Sequence, residues 1–315
     1  MLSDLHRRLF RFLPLVGLLI LVPEVSGQQA VGVLRTGATT AAYRPAKDAP
    51  EEAPVHHFTF ERNLIFFSAL VDGHPGNFIL DTGAPSLIVN DRGKGAVSTS
   101  RTGLGAGGEV SLGEYHVGHF EMGQQSVTNY WAISLDLRQM EERTARRIDG
   151  FVGYDLLNAG ELRIDYGLQR FQLLPSQRRP TYGGLPPRAT FKFVLVDHLP
   201  VICVRVAGQQ HYFALDTGAG ANLIDAAWAR NHPQLTRYTA EQMNIQGMDG
   251  ANSDAPIVHL EQPTVLDAAA IEGVVMDLSH LQDPKGVQLA GILGSSFLRQ
   301  FTVGIDYRRR KVYLW

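Results

Sequence analysis

Two short segments of this 315-residue chain carry residues that could do chemistry together. The tetrapeptides Asp81–Ala84 and Asp216–Ala219 both read Asp-Thr-Gly-Ala, and each follows an apolar tripeptide that begins with Phe. Two carboxylates that share one proton can activate a water molecule and polarise a carbonyl group. The pattern therefore predicts Asp81 and Asp216 as catalytic residues that act as a pair. The alternative is a repeated tight turn, in which Asp accepts backbone N–H bonds and Gly takes positive φ.

The two segments belong to a longer internal repeat. Phe151-Val152-Gly153 matches Ile292-Leu293-Gly294, and Ile164-Asp165-Tyr166 matches Ile305-Asp306-Tyr307. Repeats of solenoid proteins run about 20–50 residues, and these copies are much longer. We therefore predict two duplicated domains, residues 55–175 and 189–315, with a Pro-, Gly- and Arg-containing linker at 176–188. The two copies should superpose with Asp81 on Asp216. In the folded chain the two carboxylates should lie no more than about 6 Å apart, the range of direct coupling.

Each copy has the pattern of a β-domain. Leu64–Val71 and Val201–Val206 are apolar and β-branched, and each is followed by a turn and a second strand that ends at Asp-Thr-Gly. Such a pattern predicts a hairpin. Leu137–Arg147 favours a helix, and short helices are expected after Gly153 and Gly294. Later strand pairs are expected at 162–174 and 302–315.

These motifs resemble the pepsin–retropepsin superfamily of aspartic proteases. The resemblance covers residues 55–315 and rests on both Asp-Thr-Gly motifs and on the two apolar–apolar–Gly elements. It implies an all-β fold of two homologous pepsin-like β-barrel lobes with a cleft between them and few short helices. It also implies an aspartic endopeptidase that acts on a peptide or protein substrate without a metal or an organic cofactor. Thr82 and Thr217 would hydrogen-bond across the pair, and Gly83 and Gly218 would let backbone N–H groups approach the carboxylates.

Glycine-rich segments are expected to form flaps over the substrate. Gly105, Ala106, Gly107 and Gly108 fit the tip of a mobile hairpin in the first copy, and 247–252 occupies the matching place in the second. The alternative is an ordinary exposed turn. Pepsins carry a tyrosine on this flap, and none is found near Gly105.

The element after the second glycine departs from the retroviral pattern. That pattern has an arginine there, paired with an acid a few residues past the first Asp. This chain has Tyr154 in place of the arginine and Pro85 near the place of the acid. Asp155 is then left without that partner, and we interpret it as a helix cap rather than a catalytic residue.

Composition and charge exclude several classes. Lys and Arg number 29 against 31 Asp and Glu, for a net charge of −2, so nucleic acid is not expected as a partner. One cysteine, Cys203, cannot form a disulfide within the chain or a Cys-cluster metal site. A monomer is expected, because one chain supplies both aspartates.

The first 27 residues have the pattern of an export signal. A basic start is followed by an apolar run that is too short for a comfortable membrane span, and small residues precede a cleavage point near Gly27. Residues 28–54 are expected to form a flexible tether. We predict a periplasmic or secreted protein. The alternative is an uncleaved signal anchor, which would be the chain's one link to a membrane.

Two other functions stay open on the same fold. A non-catalytic peptide-binding protein would keep every function after replacement of both aspartates. A structural envelope protein would have no cleft and no closeness of Asp81 to Asp216.

The residue after each Asp-Thr-Gly predicts the pH dependence of activity. Many pepsins have a hydroxyl residue there, which can hydrogen-bond the ionised carboxylate, whereas this chain has Ala84 and Ala219. We expect a bell-shaped profile of kcat/KM with a maximum at about pH 4–6. Ala84→Ser or Ala219→Ser should move its acidic limb to lower pH. A parent maximum near pH 2, or a limb that moves in neither variant, would contradict this expectation.

Overall fold

The computed structural model describes residues 19–20, 30–31, 53–92, 97–105, 108–246, 252–260, 263–264, 271–281 and 286–315. Strands far outnumber helices within these residues, which confirms the predicted predominance of β-structure. The expected export signal and tether lie outside the described residues, apart from 19–20, 30–31 and 53–54. No helix of the described ranges is long and apolar enough to cross a membrane.

The described residues up to 174 form thirteen strands and two helices. They are β1 (Leu19–Ile20), β2 (Ala30–Val31), β3 (His56–His57), β4 (Thr59–Glu61), β5 (Leu64–Val71), β6 (His74–Leu80), β7 (Ile88–Asn90), β8 (Val97–Gly105), β9 (Gly108–Met122), β10 (Gln125–Leu135), α1 (Arg138–Thr144), β11 (Gly150–Val152), α2 (Tyr154–Leu157), β12 (Glu161–Asp165) and β13 (Arg170–Leu174). The helix expected at 137–147 is present in shortened form as α1. It stops at Ala145, whose backbone is left-handed.

The later elements begin at residue 189. They are β14 (Ala189–Val196), β15 (Leu199–Val206), β16 (Gln209–Leu215), β17 (Leu223–Asp225), α3 (Ala226–Asn231), β18 (Thr236–Gln246), β19 (Asn252–Leu260), β20 (Pro263–Thr264), β21 (Glu272–Met276), β22 (Leu289–Leu293), α4 (Ser295–Leu298), β23 (Thr302–Asp306) and β24 (Lys311–Leu314). Single turns of 3₁₀-helix lie at Pro233–Leu235 and Ser279–Leu281. The short helices expected after Gly153 and Gly294 are therefore present as α2 and α4.

The first large sheet brings Asp81 to the end of a central strand. Its order is β4-β5-β6-β11-β7-β10-β9-β8, and β5 and β6 form the expected hairpin. β11 lies between β6 and β7, parallel to the first and antiparallel to the second. Leu80, the last residue of β6, is opposite Val152, so the loop that carries Asp81 begins where β6 and β11 end together.

The second large sheet repeats this arrangement around Asp216. β15 and β16 form the matching hairpin. β22 lies parallel to β16 and antiparallel to β17, with Leu293 opposite Leu215. The two copies of the sequence pattern thus fold into the same pairing of strands, and Asp81 and Asp216 occupy the same place in each.

A shared set of strands joins the two parts of the chain. β12 pairs with β23 in antiparallel register, with Leu162 opposite Ile305, and β13 and β24 flank this pair. These are the two later strand pairs expected from the sequence. Their apolar side chains belong to one buried cluster that also includes Phe78 and Phe213 from the strands next to the aspartates. The frame that holds the two aspartate loops is therefore continuous.

The glycine after β11 and its counterpart after β22 allow a close approach to the aspartate loops. A Cβ atom on Gly153 would lie 2.5 Å from the carbonyl oxygens of Ala84 and Ser86. A Cβ atom on Gly294 would collide in the same way with the carbonyls of Ala219 and Ala221. Only glycine lets both helices start against these loops.

This close approach predicts the effect of an added methyl group. Gly153→Ala and Gly294→Ala should each lower the free energy of unfolding by about 1–3 kcal/mol or more, because the backbone must shift to relieve the clash. Gly167→Ala is the matched control, since its Cβ would meet only Asp165 Oδ1 at 3.4 Å. Urea denaturation of the three variants measures the difference. Unchanged stability of Gly153→Ala would contradict the described packing.

Candidate active site

Asp81 and Asp216 are buried side by side. Asp81 is 1% exposed and Asp216 is fully buried. Each backbone N–H donates to the end of the neighbouring parallel strand, Asp81 to Val152 O at 3.0 Å and Asp216 to Leu293 O at 3.1 Å. Each carboxyl group approaches the glycine of the other loop, since a Cβ atom on Gly83 would lie 2.5 Å from the Asp216 carboxylate and one on Gly218 would lie closer still to Asp81 Oδ1. The closeness expected from the duplication is thus present.

The threonines make a reciprocal set of hydrogen bonds. Thr82 N–H donates to Thr217 Oγ1 and Thr217 N–H donates to Thr82 Oγ1, both at 3.0 Å. Thr217 Oγ1 donates in turn to Leu80 O at 2.9 Å, and Thr82 Oγ1 lies 3.5 Å from Leu215 O. Both threonines are fully buried. Each hydroxyl therefore ties one loop to the strand that carries the other aspartate.

The glycines let the backbone reach the carboxylates. Gly83 N–H donates to Asp81 Oδ1 at 2.8 Å, and Gly218 N–H donates to Asp216 Oδ1 at 2.8 Å. A Cβ atom on Gly83 would lie within 2.5 Å of the Asp216 carboxylate, and one on Gly218 would collide with Asp81 Oδ1. A side chain at either position would push the two carboxyl groups apart.

The electrostatics of the pair follow from burial and closeness. Burial, and then the charge of Asp216, raise the pKa of Asp81 well above its usual range. Burial also raises the pKa of Asp216. A hydrogen bond from Asp81 acts in the opposite direction, because it favours the ionised form of Asp216. Two interacting carboxyls titrate as a pair, so the site holds one shared proton over a range of pH. Asp216 Oδ2 receives no hydrogen bond from an N–H group of the described residues, which leaves it available to that proton or to a substrate group.

The expected flap is only partly described. Gly105 and Gly108 are paired at the end of the antiparallel β8–β9 hairpin, whereas Ala106 and Gly107 lie outside the described residues. The second glycine-rich segment falls between the paired strands β18 and β19, and of its residues only Asn252 is described. Hairpins therefore stand where both flaps were expected, and their role stays a prediction.

Backbone contacts tie the start of each short helix to the aspartate loop of the same copy. Tyr154 N–H donates to Ala84 O at 2.8 Å, and Asp155 N–H donates to Pro85 O at 3.2 Å. In the second copy Ser295 N–H donates to Ala219 O at 2.6 Å. The first turn of each short helix thus hydrogen-bonds to the aspartate loop of the same copy.

The interpretation of Asp155 as a helix cap is wrong. Gly153 is the N-cap of α2, and Asp155 lies inside the first turn, 1% exposed. Its carboxylate lies near the Ser86 hydroxyl and the Leu87 amide, but neither reaches good hydrogen-bond geometry. Burial raises the pKa of Asp155 to about 8. Ser86 Oγ itself is 2.9 Å from Tyr130 Oη on β10.

One contact to the aspartate loop had no signal in the motifs. His198 is buried, and its Nε2 lies 2.6 Å from Gly83 O, across 115 residues of sequence. Its position, 135 residues after Asn63, places it at the start of the second hairpin in the repeat. Comparison of the two copies at this position is the one signal that could have drawn attention to it.

Other kinds of site find less support. In the ranges that the structure describes, no group of three or more His, Cys, Asp or Glu residues is placed to hold a metal ion. A comparison with protein-family models finds no match to this chain, and a comparison with curated proteins finds none either.

The environment of Asp155 predicts a pH dependence of stability. Its folded-state pKa is raised, so its protonated form contributes stability that is complete below about pH 4 and is lost as pH rises through about 8. Asp155→Asn cannot ionise, so its free energy of unfolding relative to the parent should rise between pH 4 and 9. Urea denaturation across this range measures the difference.

Asp149 provides a control of opposite sign. Hydrogen bonds from Arg147 and the Asn77 amide outweigh partial burial and lower the pKa of Asp149. Asp149→Asn should therefore lose stability relative to the parent above about pH 4. A relative stability of Asp155→Asn that does not change with pH would contradict the assigned environment.

Proposed function

We propose that this chain is an aspartic endopeptidase that hydrolyses peptide bonds through Asp81, Asp216 and an activated water. The observation that carries the proposal is the pair of buried carboxyl groups, each of which lies against the glycine of the other loop. They stand at the ends of matching strands and are held by reciprocal threonine bonds. This arrangement fits the two-lobed architecture of the pepsin–retropepsin type, with one aspartate from each lobe.

The mechanism uses the shared proton. The ionised carboxyl takes a proton from water while the protonated carboxyl donates to the carbonyl oxygen of the scissile peptide bond. Water then attacks the carbonyl carbon, and the resulting tetrahedral intermediate collapses as a proton passes to the leaving amine. Amide donors from Gly83 and Gly218 stabilise the ionised carboxylate without a change of geometry.

The substrate would lie extended between the two lobes. The hairpins β8–β9 and β18–β19 occupy matching places in the two copies. Each could supply backbone groups to a strand-like peptide. The N-terminal signal pattern supports export to the periplasm or the exterior, and the presence of both aspartates in one chain supports a monomer.

The two alternative functions fare differently. A structural envelope protein was expected to keep Asp81 and Asp216 apart, and their contact disfavours it. A non-catalytic peptide-binding protein would gain nothing from two buried carboxyls whose ionisation is coupled, because burial of such groups is unfavourable. Peptide hydrolysis, in contrast, requires one ionised and one protonated carboxyl group side by side.

Replacement of either aspartate tests the proposal. Asp81→Asn and Asp216→Asn should each lower kcat/KM roughly a thousandfold or more on a peptide library, since the two groups act as one unit. The double variant should be no worse than the single ones. A peptide analogue with a hydroxyl in place of the attacked carbonyl should inhibit the parent.

The control is Asp72→Asn, an exposed turn residue prepared in the same way. It should keep parental activity. A contaminating protease would cleave peptides in the dyad preparations as well, so the absence of cleavage there excludes it. Substantial turnover by either properly folded dyad variant would refute the mechanism.

A further inference from the structure

Backbone amides face the carboxyl group in both aspartate loops. Asp81 Oδ1 accepts from both Gly83 N–H at 2.8 Å and Ala84 N–H at 3.1 Å. Asp216 Oδ1 accepts from Gly218 N–H at 2.8 Å, and the Ala219 amide also favours its ionised form. The backbone donors therefore repeat between the copies, whereas some side chains that contact the two loops differ.

His198 is such a side chain. It stands just before β15, as Asn63 stands just before β5, and both are buried. A carbonyl oxygen can only accept a hydrogen bond, so in the 2.6 Å contact His198 Nε2–H must donate to Gly83 O. Asn63 instead accepts from Arg299 Nη1 at 3.4 Å, and no hydrogen bond joins it to Gly218 O within the described residues.

The bond from His198 acts on the peptide group that faces Asp81. The carbonyl of Gly83 and the N–H of Ala84 belong to one planar unit. A donor at the carbonyl oxygen fixes the plane of that unit and polarises it, which strengthens its N–H as a donor. His198 Nε2, the Gly83–Ala84 peptide group and Asp81 Oδ1 therefore form one hydrogen-bonded series.

Packing holds the imidazole in this orientation. The ring of Tyr154 lies 6.4 Å from the His198 ring, centroid to centroid, and Tyr307 packs edge-on against Tyr154 at 5.4 Å. Tyr154 is thus the titratable group whose ring contact with His198 is described, and Asp197 is adjacent to His198 in the sequence. Tyr154 comes from the first part of the chain and His198 from the second, so this packing also aligns the two aspartate loops.

We propose that His198 is a positioning residue of the aspartate pair. From the second copy it orients the Gly83–Ala84 peptide group of the first, and this group stabilises the ionised carboxylate of Asp81. His198 touches no reacting atom, and its effect reaches the site through the peptide group. The inference deepens the proposed function, and it rests on that function for its kinetic consequence.

Three substitutions separate the hydrogen bond from the bulk of the side chain. His198→Leu removes the donor, and His198→Asn keeps polarity but is too short to reach Gly83 O. His198→Gln places an amide donor where Nε2 stands. Loss of the donor disfavours the ionised pair, so the first proton should leave the pair at higher pH, by about half a pH unit.

The primary measurement is a carboxyl carbon-13 titration of protein labelled at aspartate, assigned with Asp81→Asn and Asp216→Asn. His198→Leu and His198→Asn should raise the lower apparent pKa of the pair, and His198→Gln should restore the parental value. The acidic limb of kcat/KM should move by the same amount, with little change in KM. If the Leu variant does not fold, the Asn and Gln variants alone decide the comparison.

His211→Leu is the matched control. His211 is also buried, but it accepts from Trp228 Nε1 at 3.0 Å and makes no contact with the aspartate loops in the described residues. Its loss should leave the titration of the pair unchanged. A titration that His198→Leu does not move, or that His198→Gln moves as far as His198→Asn does, would overturn the inference.

The two proposals can fail separately. If no peptide is cleaved by the parent, the proposed function fails, while the carbon-13 titration still tests His198. A second outcome is that the parent cleaves peptides while the dyad variants do not. If the lower apparent pKa of the pair is then the same in the parent and the His198 variants, only the positioning role fails.

Discussion

Two carboxyl groups buried side by side cannot both be ionised, and most of what surrounds Asp81 and Asp216 meets that constraint. Burial alone disfavours their charged forms, and the charge on one opposes the charge on the other. A single negative charge is tolerable only with donors aimed at it. The amides of Gly83, Ala84 and Gly218 provide those donors without a competing positive charge. The pair is therefore kept near one net charge, with the proton free to move between two groups.

Keeping the carboxyls in contact requires mechanical support from both copies of the repeat. Threonine suits this task because one hydroxyl, that of Thr217, accepts from Thr82 N–H and donates to Leu80 O, both in the other copy. Valine has the same shape but would leave two buried amides without partners. The joined strands β12 and β23 then prevent the two frames from sliding apart. Contact at the site thus depends on bonds that reach far along the sequence.

Local pattern predicted much of this structure. The hairpins before each aspartate, the short helices after Gly153 and Gly294, and the meeting of the two carboxyls could be inferred because each depends on a repeated motif. Asp155 was misjudged, since its surroundings are set by Ser86 and Leu87 from a distant loop. His198 was missed for the same reason: nothing in its neighbours along the chain indicates a contact with Gly83. Export and the division into two lobes remain predictions, and peptide hydrolysis at the aspartate pair remains a proposal.

Duplication produces two equal aspartate loops, whereas a pair that shares one proton must use them unequally at any moment. A perfectly symmetric site would leave the placement of the charge to the substrate. Here Asn63 and His198 occupy matching positions and make different bonds, and the Ala84 amide that donates to Asp81 belongs to the peptide group that His198 contacts. A difference outside the Asp-Thr-Gly motifs can therefore bias the pair while both motifs stay identical. Divergence at a supporting position changes the electrostatics of the site without changing the groups that would react.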